Sequence, residues 1–321
     1  MAIDLSKLKV GVLYGGISGE REVSLVSGRM AHEALLRCGI DARLLDIRSS
    51  AAALVREQIV SLGINAAFIA LHGEFGEDGC IQRILEAIGL PYTGSGPGPS
   101  FLAMDKIESK KIFAAKGVPT PDYFICEDGA AVPSGIKYPA VVKPYYSGSS
   151  LGVSIVDSVA GLPAALKLAF GVQDKALIED YIEGRELTVG IFDTRPLAVV
   201  EIKPKDGYYD FTHKYCDGMV EFVAPARIPA KIYKKVQDVA WDAHNALGCR
   251  HFSRVDVRLG LDERPFVLEV NSIPGLTSHS LLPLSAKACG IGYDALIKGM
   301  LELAIKEGYG KKEIQRNRMA A

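Results

Sequence analysis

The sequence is informative first through what it lacks. Only 6 of its 321 residues are cysteine, and none of them form a C-x-x-C pair. This disfavours a zinc ribbon or a thioredoxin-type site and favours reduced thiols in a cytosol. No uncharged apolar run approaches the roughly 20 residues that a membrane-spanning helix needs. The N-terminus also lacks the basic and apolar stretches of a signal peptide, so we expect a cytoplasmic protein without a membrane partner.

An excess of charge of either sign is also lacking. Lys plus Arg number 37 and Asp plus Glu number 38, which gives a formal charge of −1. Without net positive charge the chain has no general attraction for nucleic acid, and we expect no nucleic-acid partner. Hydrophobic residues make up 48% and charged residues 23%, the balance of a globular protein. At roughly 150 residues per domain, the length predicts about two domains, or up to three small ones.

Two common nucleotide-binding motifs are missing as well. The chain contains no G-x-x-x-x-G-K-[ST] P-loop, and the glycines after its first apolar run do not match G-x-G-x-x-G. Residues 148–152 do match the G-x-S-x-G elbow of α/β-hydrolases, with Asp256 and His279 downstream in the order of a triad. That elbow must lead from a strand into a helix. The largely β-branched residues 153–156 favour a strand instead, which disfavours a hydrolase.

Short apolar runs alternate with helical patterns near the N-terminus. The pattern predicts strands over 9–14, 41–46 and 66–71, and helices over about 22–38 and 51–62. Such alternation indicates βαβ units and a parallel sheet. Ligands of such sheets lie beyond the carboxyl ends of the strands.

Beyond a turn-rich stretch at 91–99, which we interpret as a domain boundary, the pattern changes. Helices are predicted over about 100–116 and 162–170. Strands are predicted over 140–143, 152–156, 176–179, 187–192, 197–202, 255–259 and 265–270. These segments mostly alternate or form short runs, as expected of a mixed or antiparallel sheet.

Two of these predicted strands carry polar residues at every second position. Arg254 and Asp256 share one face of the first strand, and Glu269 and Asn271 share one face of the second. Such oxygen ligands, together with substrate phosphates, suit Mg²⁺. An arginine on the same face can neutralise a developing oxyanion. The same alternation also fits the salt-bridged solvent face of an antiparallel sheet.

Two loops rich in glycine and hydroxyl groups indicate anion sites. Lys143 ends a strand before the loop 147–152, whose amides and hydroxyls can form a nest for phosphate. An ordinary hairpin turn fits that loop equally well. Residues 271–280 lead into an apolar helix, and backbone amides at a helix N-terminus suit a carboxylate or an oxyanion. A plain helix N-cap by threonine or serine also fits this segment.

Taken together, several blocks resemble the D-alanine–D-alanine ligase family of the ATP-grasp superfamily. They cover 15–25, 70–79, 90–96, 104–106, 148–152, 208–215 and 269–281. The resemblance implies an α/β fold with three domains. These are an N-terminal parallel α/β domain over 1–99, a central ATP-grasp subdomain over 100–184 and a C-terminal subdomain over 185–321 that carries the metal site. ATP would lie between the last two.

The activity implied by this resemblance is an ATP-dependent ligation of two D-alanine molecules through D-alanyl phosphate, for peptidoglycan synthesis. It also implies two Mg²⁺ or Mn²⁺ ions and a homodimer. Phosphoryl transfer needs mainly positioning and charge neutralisation, which lysines and metal ions supply. Two alternatives stay open: an ATP-grasp ligase of other specificity, such as D-Ala–D-Lac or D-Ala–D-Ser, and a nucleotide-binding protein without catalysis. An oxyanion arginine argues against the second.

The resemblance also implies a role for each matching residue. The metal ligands would be Asp256, Glu269 and Asn271. The ATP contacts would be Lys106, Lys143, Gly148, Ser149, Ser150, Glu179, Tyr181, Ile182, Glu186 and Lys214. The D-alanine contacts would be Glu20, His72, Lys214, Arg254, Gly275, Ser280 and Leu281. The residues implied in catalysis are Glu20, Ser149, Tyr215, Arg254, Gly275 and Ser280.

Three further features refine this interpretation. The stretch from about 203 to 221 would be a lid that excludes water from the acyl phosphate. In this family a tyrosine at 215 goes with amide formation, whereas a phenylalanine, which cannot hydrogen-bond, favours an ester product. Asp180 and Glu74 depart from the family pattern, in which lysine and arginine are common at those positions.

Overall fold

The computed structural model describes residues 4–204 and 220–320. Within these two ranges lie three β-sheets and nine α-helices. No helix in them combines the length and the apolar character that crossing a membrane demands. The three sheets follow one another along the chain, and the mixed α/β class expected from the sequence is confirmed.

The first sheet is parallel. Its strands run in the order β2-β1-β3, with bounds β1 (Lys9–Gly15), β2 (Asp41–Ile47) and β3 (Ala66–Ile69). The accompanying helices are α1 (Arg21–Arg37), α2 (Ala52–Ser61) and α3 (Cys80–Ala87). Val10 and Val12 pack with α1, whereas Leu13 packs with α2 and α3. Burial on both faces explains the near-continuous apolar strands, and the predicted parallel sheet is confirmed.

The second sheet is antiparallel and has two different faces. Its order is β4-β7-β5-β6, with bounds β4 (Tyr123–Glu127), β5 (Ala140–Pro144), β6 (Ser154–Val156) and β7 (Lys175–Asp180). Ala140 and Val142 pack against helix α6 (Leu162–Phe170). Because side chains alternate along a strand, Val141 and Lys143 face the opposite side, where a cleft lies.

The third sheet is also antiparallel. Its order is β10-β9-β8-β11-β12, with bounds β8 (Gly184–Phe192), β9 (Arg195–Pro204), β10 (Val220–Val223), β11 (Phe252–Gly260) and β12 (Pro265–Asn271). Val255 and Val257 are buried against helix α7 (Ala230–Ala246). Arg254, Asp256 and Arg258 alternate with these valines and therefore point to the other face, which closes the cleft from the opposite side.

The helical prediction over 100–116 is wrong in one respect. Instead of one helix the structure has α4 (Pro97–Met104) and α5 (Lys106–Lys116), separated by Asp105. Asp105 has an extended backbone, and its Oδ1 accepts the N–H groups of Ile107 and Glu108 at 3.0 Å each. This cap starts a new helix, because an aspartate side chain satisfies amides that have no partner within the helix.

The remaining helices tie the sheets together. They are α8 (Leu281–Ala288) and α9 (Tyr293–Ala320). Leu296 and Met300 of α9 enter the core of the first sheet, and Phe113 of α5 enters the core of the third. Each sheet lies within one of the three predicted domain ranges, apart from Gly184 at the start of β8. The exact domain boundaries stay predictions, since helices after residue 99 pack on the third sheet.

Candidate active site

A cleft of about 720 Å³ separates the second and third sheets and reaches the carboxyl end of the first. Eighteen of the twenty predicted site residues line it. They are Glu20, His72, Lys106, Lys143, Gly148, Ser149, Ser150, Glu179, Tyr181, Ile182, Glu186, Arg254, Asp256, Glu269, Asn271, Gly275, Ser280 and Leu281. The other two, Lys214 and Tyr215, and most of the predicted lid lie outside the described residues.

Two lysines project into the cleft from the side of the second sheet. Lys106 begins α5, and its Nζ donates to the carbonyl oxygen of Ser147 at 2.7 Å. The same Nζ lies 3.2 Å from a carboxylate oxygen of Glu269, across the cleft. Lys143 ends β5, with its Nζ 2.8 Å from Oε1 of Glu179. Both lysines are largely buried, so water screens their positive charges only weakly. An anion in the cleft is therefore attracted more strongly than it would be at the surface.

Behind these lysines lies a third one that sequence reasoning missed. Lys110 has no exposed surface, and its Nζ lies 3.2 Å from the same Oε1 of Glu179 that Lys143 contacts. Burial alone would raise the pKa of Glu179, but the two ammonium groups outweigh it and hold that pKa below its usual range. Burial lowers the pKa of Lys110 to about 8, against the opposing effect of Glu179.

The opposite wall carries the polar residues of β11 and β12. Asp256 is directly opposite Glu269 in the strand register, and Arg254 is opposite Asn271. Arg254 donates two hydrogen bonds to the Asp256 carboxylate, at 2.9 and 2.8 Å. Thr188 of β8 donates another at 2.6 Å, and the amide of Asn271 donates one at 3.1 Å. Arg254, Asp256, Glu269 and Asn271 line the cleft, so the alternative of a plain solvent face is wrong.

The donor set suits a magnesium site that is completed by phosphate. Asp256, Glu269 and Asn271 offer two carboxylates and an amide oxygen at neighbouring positions of two strands. In the described part of the chain, no group of three or more His, Cys, Asp or Glu residues is arranged to hold a metal ion by itself. Mg²⁺ is usually bound by one or two carboxylates together with water and substrate phosphates, so the residues present fit that ion.

The glycine–serine loop closes one end of the cleft. The Ser149 hydroxyl donates to Oε1 of Glu20, which precedes α1. Ser149 and Ser150 have φ of 54° and 56°, in the left-handed region that non-glycine residues seldom adopt. Such backbone strain is typical of functional loops. The loop then leads into strand β6 rather than a helix, so the nucleophile-elbow alternative does not apply.

His72 lies deep at the floor of the cleft and is almost fully buried. Its Nδ1 is 3.1 Å from the carbonyl oxygen of Ile273, and its Nε2 is 3.0 Å from the Ser27 hydroxyl. Ser27 also accepts the N–H of Leu276 at 3.2 Å. The ring therefore anchors the loop that carries Gly275. Glu77, with an oxygen 3.5 Å from Nδ1, has a pKa raised by burial.

The loop before α8 folds tightly around Gly275. A methyl group at this position would lie 2.9 Å from the hydroxyl oxygen of Ser280. That hydroxyl accepts the N–H of Thr277 at 3.1 Å and lies 2.8 Å from the Thr277 hydroxyl. Ser280 precedes α8, but its side chain makes no capping bond to the helix. It is turned toward the loop instead.

Arg258 is a further cleft residue that sequence reasoning missed. It lies two residues after Asp256, on the same face of β11, so the alternation that identified Asp256 was a usable signal. Its guanidinium lies 5.5 Å from the ring centroid of Tyr181 and 3.2 Å from a carboxylate oxygen of Glu186. At the rim nearby, Asp180 pairs with Lys137 at 2.8 Å.

The cleft thus lies between two antiparallel sheets. Lysines and a glycine–serine loop form one wall, and carboxylates with an arginine form the other. Lysines in such a cleft can neutralise the charge of a polyphosphate, carboxylates can hold metal ions that do the same, and an arginine can stabilise an oxyanion that forms on a reacting acyl group. These features place the chain in the ATP-grasp class of ATP-dependent ligases.

Comparison with known protein families is consistent with this class. Models described as D-ala D-ala ligase N-terminus and D-ala D-ala ligase C-terminus match residues 48–95 and 113–302. The chain belongs to the D-alanine–D-alanine ligase family, as its sequence resemblance predicted.

Individual relatives match over nearly the whole chain. A D-alanine–D-alanine ligase of Geotalea uraniireducens is 46% identical, with 95% of this chain and 98% of the relative covered. The corresponding ligase of Trichlorobacter lovleyi is 45% identical, with 95% of this chain and 98% of the relative covered. A crystal structure of D-alanine–D-alanine ligase from Bacillus anthracis complexed with ATP superposes with a TM-score of 0.83 at 31% identity. It covers 95% of this chain and 99% of that one.

Proposed function

We propose that this chain joins two D-alanine molecules into D-alanyl-D-alanine with ATP, through a D-alanyl phosphate intermediate, as a precursor for peptidoglycan. One observation carries the proposal. The eighteen described residues that the family resemblance implicates, although scattered from 20 to 281, all line one cleft. The D-alanine–D-alanine ligase of Bacillus anthracis, which shares the fold, was solved with ATP.

The first half of the reaction transfers a phosphoryl group. A carboxylate oxygen of the first D-alanine attacks the γ-phosphorus of ATP, the bond to the β-phosphate oxygen breaks, and ADP leaves. Lys106 and Lys143 neutralise phosphate charge, and Glu20 pairs with the ammonium of this D-alanine. Asp256, Glu269 and Asn271 would hold two Mg²⁺ or Mn²⁺ ions, which neutralise phosphate charge when bound.

The second half forms the amide. The amine of the second D-alanine, once deprotonated, attacks the acyl carbon, and the resulting tetrahedral intermediate expels inorganic phosphate. Arg254 and the backbone amide of Gly275 are the donors we propose for its oxyanion. Ser280 and the amide of Leu281 would receive the carboxylate of this second substrate. The same role for Lys214, and the specificity role of Tyr215, stay predictions for residues outside the described ranges.

Two features of the family complete the proposal. We expect the chain to act in the cytoplasm and to form a homodimer. Light scattering on the purified protein would then give about twice the 34.5 kDa of one chain. A mass equal to one chain would contradict the dimer.

The direct test is product analysis. Phosphate release from Mg-ATP is measured with D-alanine, L-alanine, D-alanine plus D-lactate, or no amino acid, and products are identified by mass. Release with D-alanine alone and formation of D-alanyl-D-alanine are expected. Release only when D-lactate or another acceptor is added would keep the ATP-dependent chemistry but contradict the specificity. ATP binding without release under any condition would favour a non-catalytic binder.

A further inference from the structure

A fully buried lysine that does not line the cleft stands behind its phosphate-facing wall. Lys110 lies on α5, one turn after Lys106. Its Nζ donates to the Thr120 hydroxyl at 2.7 Å and to the carbonyl oxygen of Pro121 at 3.3 Å, and it lies 3.2 Å from Oε1 of Glu179. Removing a lysine from water is costly, so partners of this kind have to compensate for burying it.

The carboxylate that Lys110 contacts is shared with a cleft lysine. Oε1 of Glu179 lies 2.8 Å from Nζ of Lys143 and 3.2 Å from Nζ of Lys110. The ring of Tyr123, with its centroid 5.3 Å from Nζ, also faces Lys110, and the negative charge of Asp122 acts on Lys110 electrostatically. With both lysines charged, the trio of Glu179 and two ammonium groups carries one net positive charge. Without Lys110 the charges of Glu179 and Lys143 would cancel.

The contacts of Lys110 also reach the opposite wall. The Thr120 hydroxyl, which accepts from Lys110, donates to the carbonyl oxygen of Val267 at 2.8 Å. Val267 lies on β12, two residues before Glu269. Lys110 therefore connects α5, the segment before β4, strand β7 and, through Thr120, strand β12. These elements carry groups from both walls of the cleft.

We propose that Lys110 is a positioning residue for nucleotide binding. It holds the Glu179 carboxylate in place and neutralises part of its negative charge, so that the ammonium group of Lys143 stays available to a phosphate. Lys110 itself touches no substrate. The inference rests on the proposed function in one respect, namely that Lys143 meets a phosphate of ATP. Its physical basis is that a low-dielectric site strengthens each of these charge interactions.

The test compares Lys110→Met with Lys111→Met. Lys111 is the adjacent residue, exposed and paired only with Glu108 at 2.8 Å among the contacts described, and it serves as the matched control. Binding of Mg-ATP to the purified full chain is measured by calorimetry, with circular dichroism to verify folding. We expect Lys110→Met to weaken binding about tenfold or more, as loss of a buried charge partner does. We expect Lys111→Met to bind within about twofold of wild type.

A double-mutant cycle separates positioning from general damage. In a Glu179→Gln background Lys110 has no carboxylate to hold, so Lys110→Met should cause little further loss of ATP affinity. An equal loss with and without Glu179 would overturn the proposal. So would a folded Lys110→Met variant that binds Mg-ATP as tightly as wild type.

The pH dependence of the unmodified protein gives a second measurement, which holds even if Lys110→Met does not fold. Because burial lowers the pKa of Lys110 to about 8, its charge is lost as the pH rises from 7 to 9. Affinity for Mg-ATP should fall over that interval in wild type and in Lys111→Met. A flat profile would overturn the proposal. Failure of the proposed function is distinguishable, since it would appear as missing dipeptide while ATP binding could still be measured.

Discussion

Thr188 offers a sharp test of the wall that carries the carboxylates, because it contacts Asp256 but does not itself line the cleft. It lies on β8 opposite Asp256 in the strand register and is fully buried. Its hydroxyl oxygen is 2.6 Å from Oδ1 of Asp256 and 3.2 Å from the carbonyl oxygen of Val255. Substitution Thr188→Val keeps the branched shape and removes only the hydrogen-bond donor.

The size of the effect follows from the remaining contacts of Asp256. A hydrogen bond to a charged group contributes about 1.5–3 kcal/mol. Asp256 keeps two bonds from Arg254 and one from Asn271, so the low end of that range applies. About 1.5 kcal/mol corresponds to roughly a tenfold loss of metal affinity, and outer-shell substitutions in metal sites commonly cost about 10–100-fold.

The assay is phosphate release at saturating ATP and D-alanine, titrated with Mg²⁺. We expect the Mg²⁺ concentration at half-maximal rate to rise about tenfold in Thr188→Val. Thr188→Ser, which keeps the hydroxyl, should remain close to wild type. The reasoning is refuted if Thr188→Val responds to Mg²⁺ like wild type, or if Thr188→Ser is equally impaired.

Three further predictions concern the metal ligands, an ion pair and the core. Glu269→Gln should abolish turnover with Mg-ATP because a neutral amide replaces a proposed ligand; near-normal turnover in the same phosphate assay would contradict that role. Arg21 holds the pKa of Asp46 below its usual 3.8, so their pairing stabilises the fold above that pH and is lost as the pH falls through the lower folded-state value. Asp46→Asn should therefore lower the urea midpoint at pH 7 but progressively less below pH 4. An equal loss of midpoint at pH 7 and below pH 4 would contradict this prediction. Phe252→Ala should lower the free energy of unfolding in urea by about 3–5 kcal/mol, since Phe252 is fully buried in the core; a loss below about 1 kcal/mol would argue against that packing.

The parts of the site that depend on strand alternation were predictable from the sequence. The period of two along β11 and β12 places Arg254, Asp256, Glu269 and Asn271 on one side, and the structure has them there. Arg258 obeys the same period and could have been included. The parallel sheet was equally accessible, because its strands are short apolar runs separated by helical patterns.

Lys110 and Thr188 were not accessible in this way. Lys110 contacts Glu179, which lies 69 residues further along the chain, and Thr188 contacts Asp256, 68 residues further along. Tertiary packing brings these pairs together, and no local sequence pattern encodes it. The break at Asp105 was also missed, because the helical pattern continues on both sides of it and only the cap reveals two helices. The roles of Lys214 and Tyr215 lie outside the described residues and stay predictions.

The most direct test of the central claim follows oxygen from substrate to phosphate. The enzyme is supplied with Mg-ATP and D-alanine that carries ¹⁸O in both carboxylate oxygens, and the products are analysed by mass spectrometry. If a D-alanine carboxylate attacks the γ-phosphorus, each phosphate released should contain one ¹⁸O, and each D-alanyl-D-alanine should retain three. Phosphate without ¹⁸O, or AMP and pyrophosphate in place of ADP and phosphate, would contradict the account.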